Sequence, residues 1–230
     1  QVQPLIFARM GIKARLSKPF ARVAIKNLRS RTADPLRAQA AVFAALMRGV
    51  EGTAFGREHG LHAGTAVDEF RAAVPVRDYE GLRPWMERAV AGERDVVWPG
   101  IPLYFCKTSG TTSGAKFIPL TKESLPNHIG SARNALLAYI AETGKADFVD
   151  GKMIFLQGSP TLSKTAGGVP LGRLSGIVAH HVPEYLQRNR LPSLATNTIE
   201  DWEEKVEAIV RETAGEDLRL ISGIPSWVQM

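Results

Sequence analysis

Residues 108–116 read Thr-Ser-Gly-Thr-Thr-Ser-Gly-Ala-Lys (TSGTTSGAK), and this stretch decides how the middle of the chain folds. A short apolar and aromatic run, Leu103–Cys106, precedes it, and an extended run, Lys116–Leu120, follows it. Both runs have the composition of β-strands, so the sequence predicts a strand–loop–strand arrangement.

The loop is rich in short hydrogen-bond donors. Five of the six residues from Thr108 to Ser113 are Ser or Thr, and the sixth is Gly110. A polyphosphate needs many donors at close range. Hydroxyls and backbone N–H groups supply them, glycines let the backbone approach, and a lysine adds a positive charge. We therefore predict a nucleotide phosphate site, in preference to a flexible loop without a ligand. The candidate ligands are Ser109, Gly110, Thr111, Thr112, Ser113, Gly114 and Lys116.

This loop differs from the P-loop of the common nucleotide triphosphatases, whose pattern is G-x-x-x-x-G-K-[ST]. Here three residues separate Gly110 from Gly114, Ala115 precedes Lys116, and Phe117 stands where the pattern has a hydroxyl. An extended run follows in place of a helix. The phosphates would therefore be bound in a hairpin, without a helix dipole behind them.

Strands alternate with helices along the chain, which predicts the α/β class: a mostly parallel sheet flanked by helices, with a helical N-terminal appendage. We divide the chain into a helical N-terminal segment, residues 1–100, and an α/β nucleotide-binding part, residues 101–230, incomplete at its C-terminus. Asp34-Pro35 begins the second helix, because Asp is a favoured cap and Pro is tolerated in the first turn. Two short helices are expected between residues 65 and 92.

Further elements are expected after the loop. A helix runs from a cap at Ser124 to about Glu142, strands cover 152–156 and 218–221, and residues 158–172 have the composition of a loop. Thr198 with Asp201 resembles a capping box that opens another helix, with Trp202 facing inward. The first of these helices is predicted to bury a stripe at helical spacing: Leu125, Ile129, Ala132, Leu136 and Tyr139 or Ile140.

Positive charge is concentrated at the N-terminus. The chain has a net charge of +6, and residues 1–37 hold nine Lys or Arg against one acid, Asp34. Such a segment could bind nucleic acid or an anionic membrane surface. We favour a helical arm whose basic face is solvated and whose apolar residues dock on the protein. Those apolar residues are Phe7, Met10, Leu16, Phe20, Val23 and Leu28.

The composition favours a cytoplasmic protein. The single cysteine, Cys106, has no partner for a disulfide within the chain, as expected in a reducing compartment. No apolar run reaches the roughly 18 residues that would span a bilayer. Charge interrupts the opening residues, 1–13, too soon for a secretory signal. We therefore expect no membrane span.

The stretch TSGTTSGAKFIPLT closely resembles the first nucleotide-binding motif of the auxin-responsive Gretchen Hagen family of acyl-acid amido synthetases, which are relatives of firefly luciferase. The match covers Ser109–Gly114, Lys116 and Ile118-Pro119. A weaker similarity lies in Gly223–Trp227, GIPSW, which resembles a stretch that follows a strand in that family.

The resemblance implies a partial N-terminal domain of an adenylating enzyme that uses ATP and Mg²⁺. A carboxylic acid would react with ATP to give an acyl-adenylate and pyrophosphate, and an amino acid would then form the amide. The family's second nucleotide loop, its ribose-binding aspartate and its mobile C-terminal domain have no counterpart in the 230 residues. We therefore expect half an active site, a fragment that is inactive alone, and self-association through an uncovered sheet edge.

Some assignments stay open in the sequence. His128, Ser131 and Arg133 lie off the apolar stripe of the helix after the loop and are candidates to contact the acid. No catalytic residue is assigned, and no metal-ligand spacing is found. Two rival functions remain: another ATP-dependent ligase or a phosphotransferase, which would yield a phosphorylated product, and a basic nucleic-acid-binding module, whose affinity would fall steeply with salt.

Overall fold

The computed structural model describes residues 11–108 and 115–229. These residues form two compact units. The first contains the described residues up to Arg29, residues 130–159 and residues 181–229, and the second contains residues 30–129 and 160–180 without the undescribed stretch. The division at residue 100 is not tested by this grouping and stays a prediction. None of the helices in the described ranges is both long and apolar enough to cross a membrane.

The α/β class is confirmed. Three of the five strand pairings in the described ranges are parallel, and two are antiparallel. The elements follow in the order α1 Ile12–Arg31, α2 Pro35–Val50, α3 Ala54–Glu58, α4 Val67–Ala73, α5 Tyr79–Val90, β1 Tyr104–Thr108, β2 Lys116–Leu120, α6 Leu125–Thr143, a 3₁₀ turn Asp147–Asp150, β3 Lys152–Phe155, β4 Ser163–Lys164, β5 Pro170–Gly172, α7 Leu174–Ala179, α8 Glu184–Gln187, β6 Arg190–Leu191, α9 Leu194–Thr198, α10 Trp202–Thr213, β7 Leu218–Ser222 and α11 Pro225–Val228.

The second unit is built on a four-stranded sheet in the order β2-β1-β5-β4. Successive residues of β1 point to opposite faces of this sheet. Phe105 is fully buried in a cluster with Trp85 and Met86 of α5. Cys106 packs on a different cluster, with Leu120, Leu125 and Ile177. Strand β1 is thus covered on both faces, which fixes it firmly within this unit.

A close backbone approach joins α5 to the β4–β5 hairpin in the same unit. The Gly167 N–H donates to the Val90 carbonyl at 3.0 Å. A Cβ at Gly167 would lie 2.3 Å from the backbone nitrogen of Gly92, so only glycine fits there. The hairpin itself corrects the prediction of an irregular loop over 158–172. Its short strands contain Pro170 and glycines, which hide the alternation that identifies a strand.

The first unit is built on a three-stranded parallel sheet in the order β6-β3-β7. Helices α1 and α6 bury Ile25, Leu137 and Ile140 in one cluster with Met153 of β3. The Asp150 carboxylate accepts from the N–H groups of Gly11 at 2.8 Å and Ala14 at 3.2 Å. This carboxylate therefore caps the first turn of α1 and ties it to the 3₁₀ turn before β3.

The predicted docking face of α1 is wrong. Leu16, Phe20 and Val23 are exposed by 66%, 59% and 60%, and Leu28 is also exposed. The helix buries Ala14, Ala21 and Ile25 instead, because small side chains allow a close approach to the neighbouring cluster. Phe7 and Met10 lie outside the described residues.

Three local predictions also need correction. Thr198 belongs to α9, and Asp201 caps α10 itself by accepting from the Glu204 N–H at 2.8 Å. Trp202 is exposed, although it was expected to face inward. On α6, Ala132 is exposed, whereas Leu137 is buried. The other predicted helices and strands form close to their predicted positions, whereas α7, α8, β6 and α9 were not predicted.

Candidate nucleotide-binding site

The two strands that flank the loop pair with each other. Strand β1 is antiparallel to β2, and Thr108 lies directly opposite Lys116. The buried side chains of Phe105 and Leu120 anchor the two strands. The ends of the loop are therefore held together by the sheet. Residues 109–114 lie outside the described residues, so the predicted phosphate contacts of Ser109, Gly110, Thr111, Thr112, Ser113 and Gly114 stay predictions.

Strand β2 is an edge strand of its sheet, and this explains the position of Pro119. A proline has no N–H to donate to a neighbouring strand and is tolerated at an edge. Beyond β2, the Thr121 hydroxyl accepts from the Ser124 N–H at 3.1 Å, and the Ser124 hydroxyl accepts from the Thr121 N–H at 2.9 Å. This reciprocal pair fixes the turn into α6, which begins at Leu125, and the cap at Ser124 stays a prediction.

Lys116 lies over an aromatic ring at the end of the loop. Its Nζ is 5.6 Å from the centre of the Tyr79 ring. The Tyr79 hydroxyl accepts from the backbone N–H of Phe117 at 2.8 Å. Within the described ranges no carboxylate lies within ion-pair distance of Lys116, so its charge is available to an anion. The ring thus orients the lysine without neutralising it.

Helix α5 is capped directly beside Tyr79, the residue that contacts Lys116 and Phe117. Tyr79 is the first residue of α5, and Asp78 caps the helix by accepting from the Gly81 N–H at 2.9 Å. No local pattern indicates this role for Tyr79, because the contact joins residues 38 positions apart. The local signal was an aromatic residue directly after a helix cap, and this pattern does not by itself indicate a contact with a distant strand.

The proposed acid-contacting residues lie on α6. His128, Ser131 and Arg133 are exposed, and the Arg133 Nη2 donates to the Asn134 Oδ1 at 3.4 Å. All three therefore lie on the surface of the helix. Across residues 11–108 and 115–229, no group of three His, Cys, Asp or Glu side chains could hold a metal ion.

Cys106 is not suited to nucleophilic catalysis. Burial raises the pKa of its thiol, which keeps it in the weakly nucleophilic neutral form. The side chain packs against Leu120 and Ile177 on one face of the sheet. Its role is therefore to fill the core on this face of the sheet.

Comparison with known proteins gives consistent matches. A family model described as the GH3 family N-terminal domain matches residues 24–208. A probable indole-3-acetic acid-amido synthetase, GH3.2, from Oryza sativa subsp. japonica is 31% identical over 134 residues, which cover 57% of this chain and 22% of that protein. The probable synthetase GH3.1 from Arabidopsis thaliana is 29% identical over 120 residues, which cover 51% of this chain and 20% of that protein.

Two solved structures share the fold. The GH3.15 acyl acid amido synthetase aligns with a TM-score of 0.65 at 23% identity, over 78% of this chain and 32% of that chain. The AtGH3.15 acyl acid amido synthetase in complex with 2,4-DB aligns with a TM-score of 0.60 at 23% identity, over 70% of this chain and 28% of that chain. The chain thus spans less than a third of the length of the relatives it matches.

Tyr79 makes one contact through its ring, with Lys116, and one through its hydroxyl, with the Phe117 N–H, and a substitution can remove the second alone. Tyr79→Phe keeps the ring beneath Lys116 but removes the acceptor for the Phe117 N–H, so we expect a loss of about 1–2 kcal/mol in the free energy of unfolding. The measurement is chemical denaturation of the purified chain. Tyr139→Phe is the matched control, because Tyr139 is exposed, and its effect should stay within about 0.5 kcal/mol. Equal losses in both variants would contradict the hydrogen bond's role.

Proposed function

This chain belongs to the GH3 family, and we propose on that premise that it forms the nucleotide-binding part of an ATP-dependent acyl acid amido synthetase. In the first step a carboxylate oxygen attacks the α-phosphorus of ATP, and pyrophosphate leaves. In the second step the amine of an amino acid attacks the acyl carbon, and AMP leaves as the amide forms. The names of the matched relatives support this assignment.

The observation that carries the proposal is the hydroxyl-rich loop between the paired residues Thr108 and Lys116. Pyrophosphate leaves as negative charge accumulates on the β- and γ-phosphates. Donors already in position stabilise that charge with little reorganisation. We assign this role to the loop hydroxyls and backbone N–H groups, with Lys116 held beside them by Tyr79. The chemistry of this donor set fits a polyphosphate.

Mg²⁺ enters the proposal on the nucleotide. The described residues contain no cluster of acidic, histidine or cysteine side chains that would hold the ion. We therefore assign no residue of this chain as its ligand. Mg²⁺ usually keeps several waters and binds substrate phosphates together with only one or two carboxylates, so its binding does not need a cluster of three such side chains.

A protein of the relatives' length is needed for the complete reaction. Adenylation requires the acid, the α-phosphate and the metal to be aligned, and a misplacement of about 1 Å can cost ~100-fold in rate. One loop that holds the pyrophosphate end cannot align all three. We propose that the 230-residue chain by itself binds ATP but does not adenylate an acid.

We extend the proposal to the cellular compartment, the self-association and the binding partners of the chain. With one cysteine in the chain, we place the reaction in the cytoplasm. Strand β7 is an edge strand in the described sheet, and Ile221 on it is 55% exposed, so the chain by itself is proposed to self-associate.

We propose small acids and amino acids as its partners and no specific nucleic acid. Phosphotransfer is the alternative, and a phosphorylated product would identify it.

The loop hydroxyls are tested by exchange of labelled pyrophosphate into ATP. In a protein of the relatives' length that contains this chain, Thr111→Ala with Thr112→Ala should lower acid-dependent exchange at least ~100-fold, about 2.7 kcal/mol of transition-state stabilisation. The matched control is Thr143→Ala with Thr198→Ala, which removes two exposed helix hydroxyls bonded to local carbonyls. Unchanged exchange in the loop variant would remove the loop from the site.

The role of α6 is tested by substrate preference. Helix α6 follows β2 through a fixed turn, and we propose that His128, Ser131 and Arg133 contact the acid. In the same protein, Arg133→Ala should change the relative kcat/KM across a panel of acids with one and two carboxylates. Arg211→Ala is the control, because Arg211 lies exposed on α10. An identical profile for the Arg133 variant would exclude this residue from the acid site.

A further inference from the structure

The side chain of Arg190 reaches the carboxyl end of the central strand of the parallel sheet in the first unit. Arg190 opens β6, where it pairs with Met153 of the central strand β3. Its guanidinium lies 4.8 Å from the centre of the Phe155 ring. Its Nη2 donates to the Gln157 Oε1 at 3.3 Å. Phe155 is the last residue of β3 and Gln157 lies two residues beyond it, so the guanidinium extends to the strand's carboxyl end.

The charge on Arg190 has no acidic partner among the described residues. Burial lowers the pKa of its guanidinium, and no carboxylate offsets that effect. Other arginines of the chain are different: Arg83 and Arg88 form ion pairs with Glu80 and Glu93. A half-buried cation without a counter-ion is costly, and a bound anion would stabilise it.

Hydrogen bonds from α9 and α10 hold the backbone that follows Arg190. The Glu212 Oε1 accepts from the Ser193 N–H at 2.7 Å. Asn197, which is buried, donates from its side chain to the Pro192 carbonyl at 3.2 Å. The buried Lys205 donates from Nζ to the Asn197 carbonyl at 2.6 Å. These contacts anchor the segment after β6, so Arg190 is presented from a fixed position.

We propose that Arg190 binds a carboxylate of a small-molecule substrate at this edge of the sheet. The flat guanidinium fork matches a carboxylate in two parallel hydrogen bonds. Phe155 supports its face, and Gln157 orients it without adding negative charge. Open parallel sheets bind ligands beyond the carboxyl ends of their strands. Under the proposed function two such carboxylates are available, that of the acid and that of the amino acid. Only the identity of the bound carboxylate rests on the proposed function.

The test is a titration of the ¹⁵N-labelled 230-residue chain, followed by NMR at the arginine Nε–Hε groups. The probes are benzoate for the acid and L-leucine for the amino acid, with benzamide and L-leucinamide as their neutral controls. The Arg190 signal is assigned from its loss in Arg190→Lys. The Nε–Hε signal of Arg188, an exposed neighbour, is the internal control. No nucleotide is needed, so the result is independent of the adenylation assay.

We expect a saturable shift of the Arg190 signal with at least one carboxylate and none with its amide. Arg190→Lys should weaken the same binding, measured by calorimetry, at least ~10-fold, about 1.4 kcal/mol. A shift with benzoate alone assigns the acid, a shift with L-leucine alone assigns the amino acid, and a shift with both assigns a general carboxylate site. No shift with either probe up to ~20 mM, or equal shifts at Arg188, would overturn the proposal.

Discussion

The pairing of Thr108 with Lys116 is the constraint on which the rest of the site depends. A loop of small polar residues has no apolar surface to bury and would lose much conformational entropy on binding a ligand. The sheet removes part of that cost, because it holds both ends of the loop together. Phe105 makes the pairing robust, since it is completely buried beneath α5. Helix α5 also carries Tyr79, which holds the second strand through the Phe117 N–H.

Three cations within the described residues lie over an aromatic ring and form no ion pair there. They are Lys116 over Tyr79, Arg190 over Phe155 and Arg77 over Trp85. Arg83 also lies over Tyr79, but it pairs with the Glu80 carboxylate at the surface. An aromatic face orients a cation and leaves its charge uncompensated. Such cations are suited to anionic ligands, in agreement with the proposed binding of phosphates and carboxylates.

The sequence predicted the parts of the fold whose signals are local. Strand β2 was correct at both ends, and the cap at Asp34 was confirmed by its bond to the Arg37 N–H. The β4–β5 hairpin was missed, because its strands are two and three residues long. The face of α1 was wrong, because close packing favours Ala14 and Ala21 over larger apolar residues. Tyr79 and Arg190 were not found at all, since their contacts join residues 38 and 33 positions apart.

The central claim, that this hairpin loop binds the phosphates of ATP, is tested most directly by hydrogen exchange of the 230-residue chain. Peptides that cover residues 104–120 should exchange their backbone amides more slowly in the presence of Mg²⁺ and ATP. Adenosine should leave them unchanged, because it lacks the phosphates that the loop donors would bind. The account predicts protection centred between Thr108 and Lys116. Protection confined to other segments, or none at saturating ATP, would contradict it.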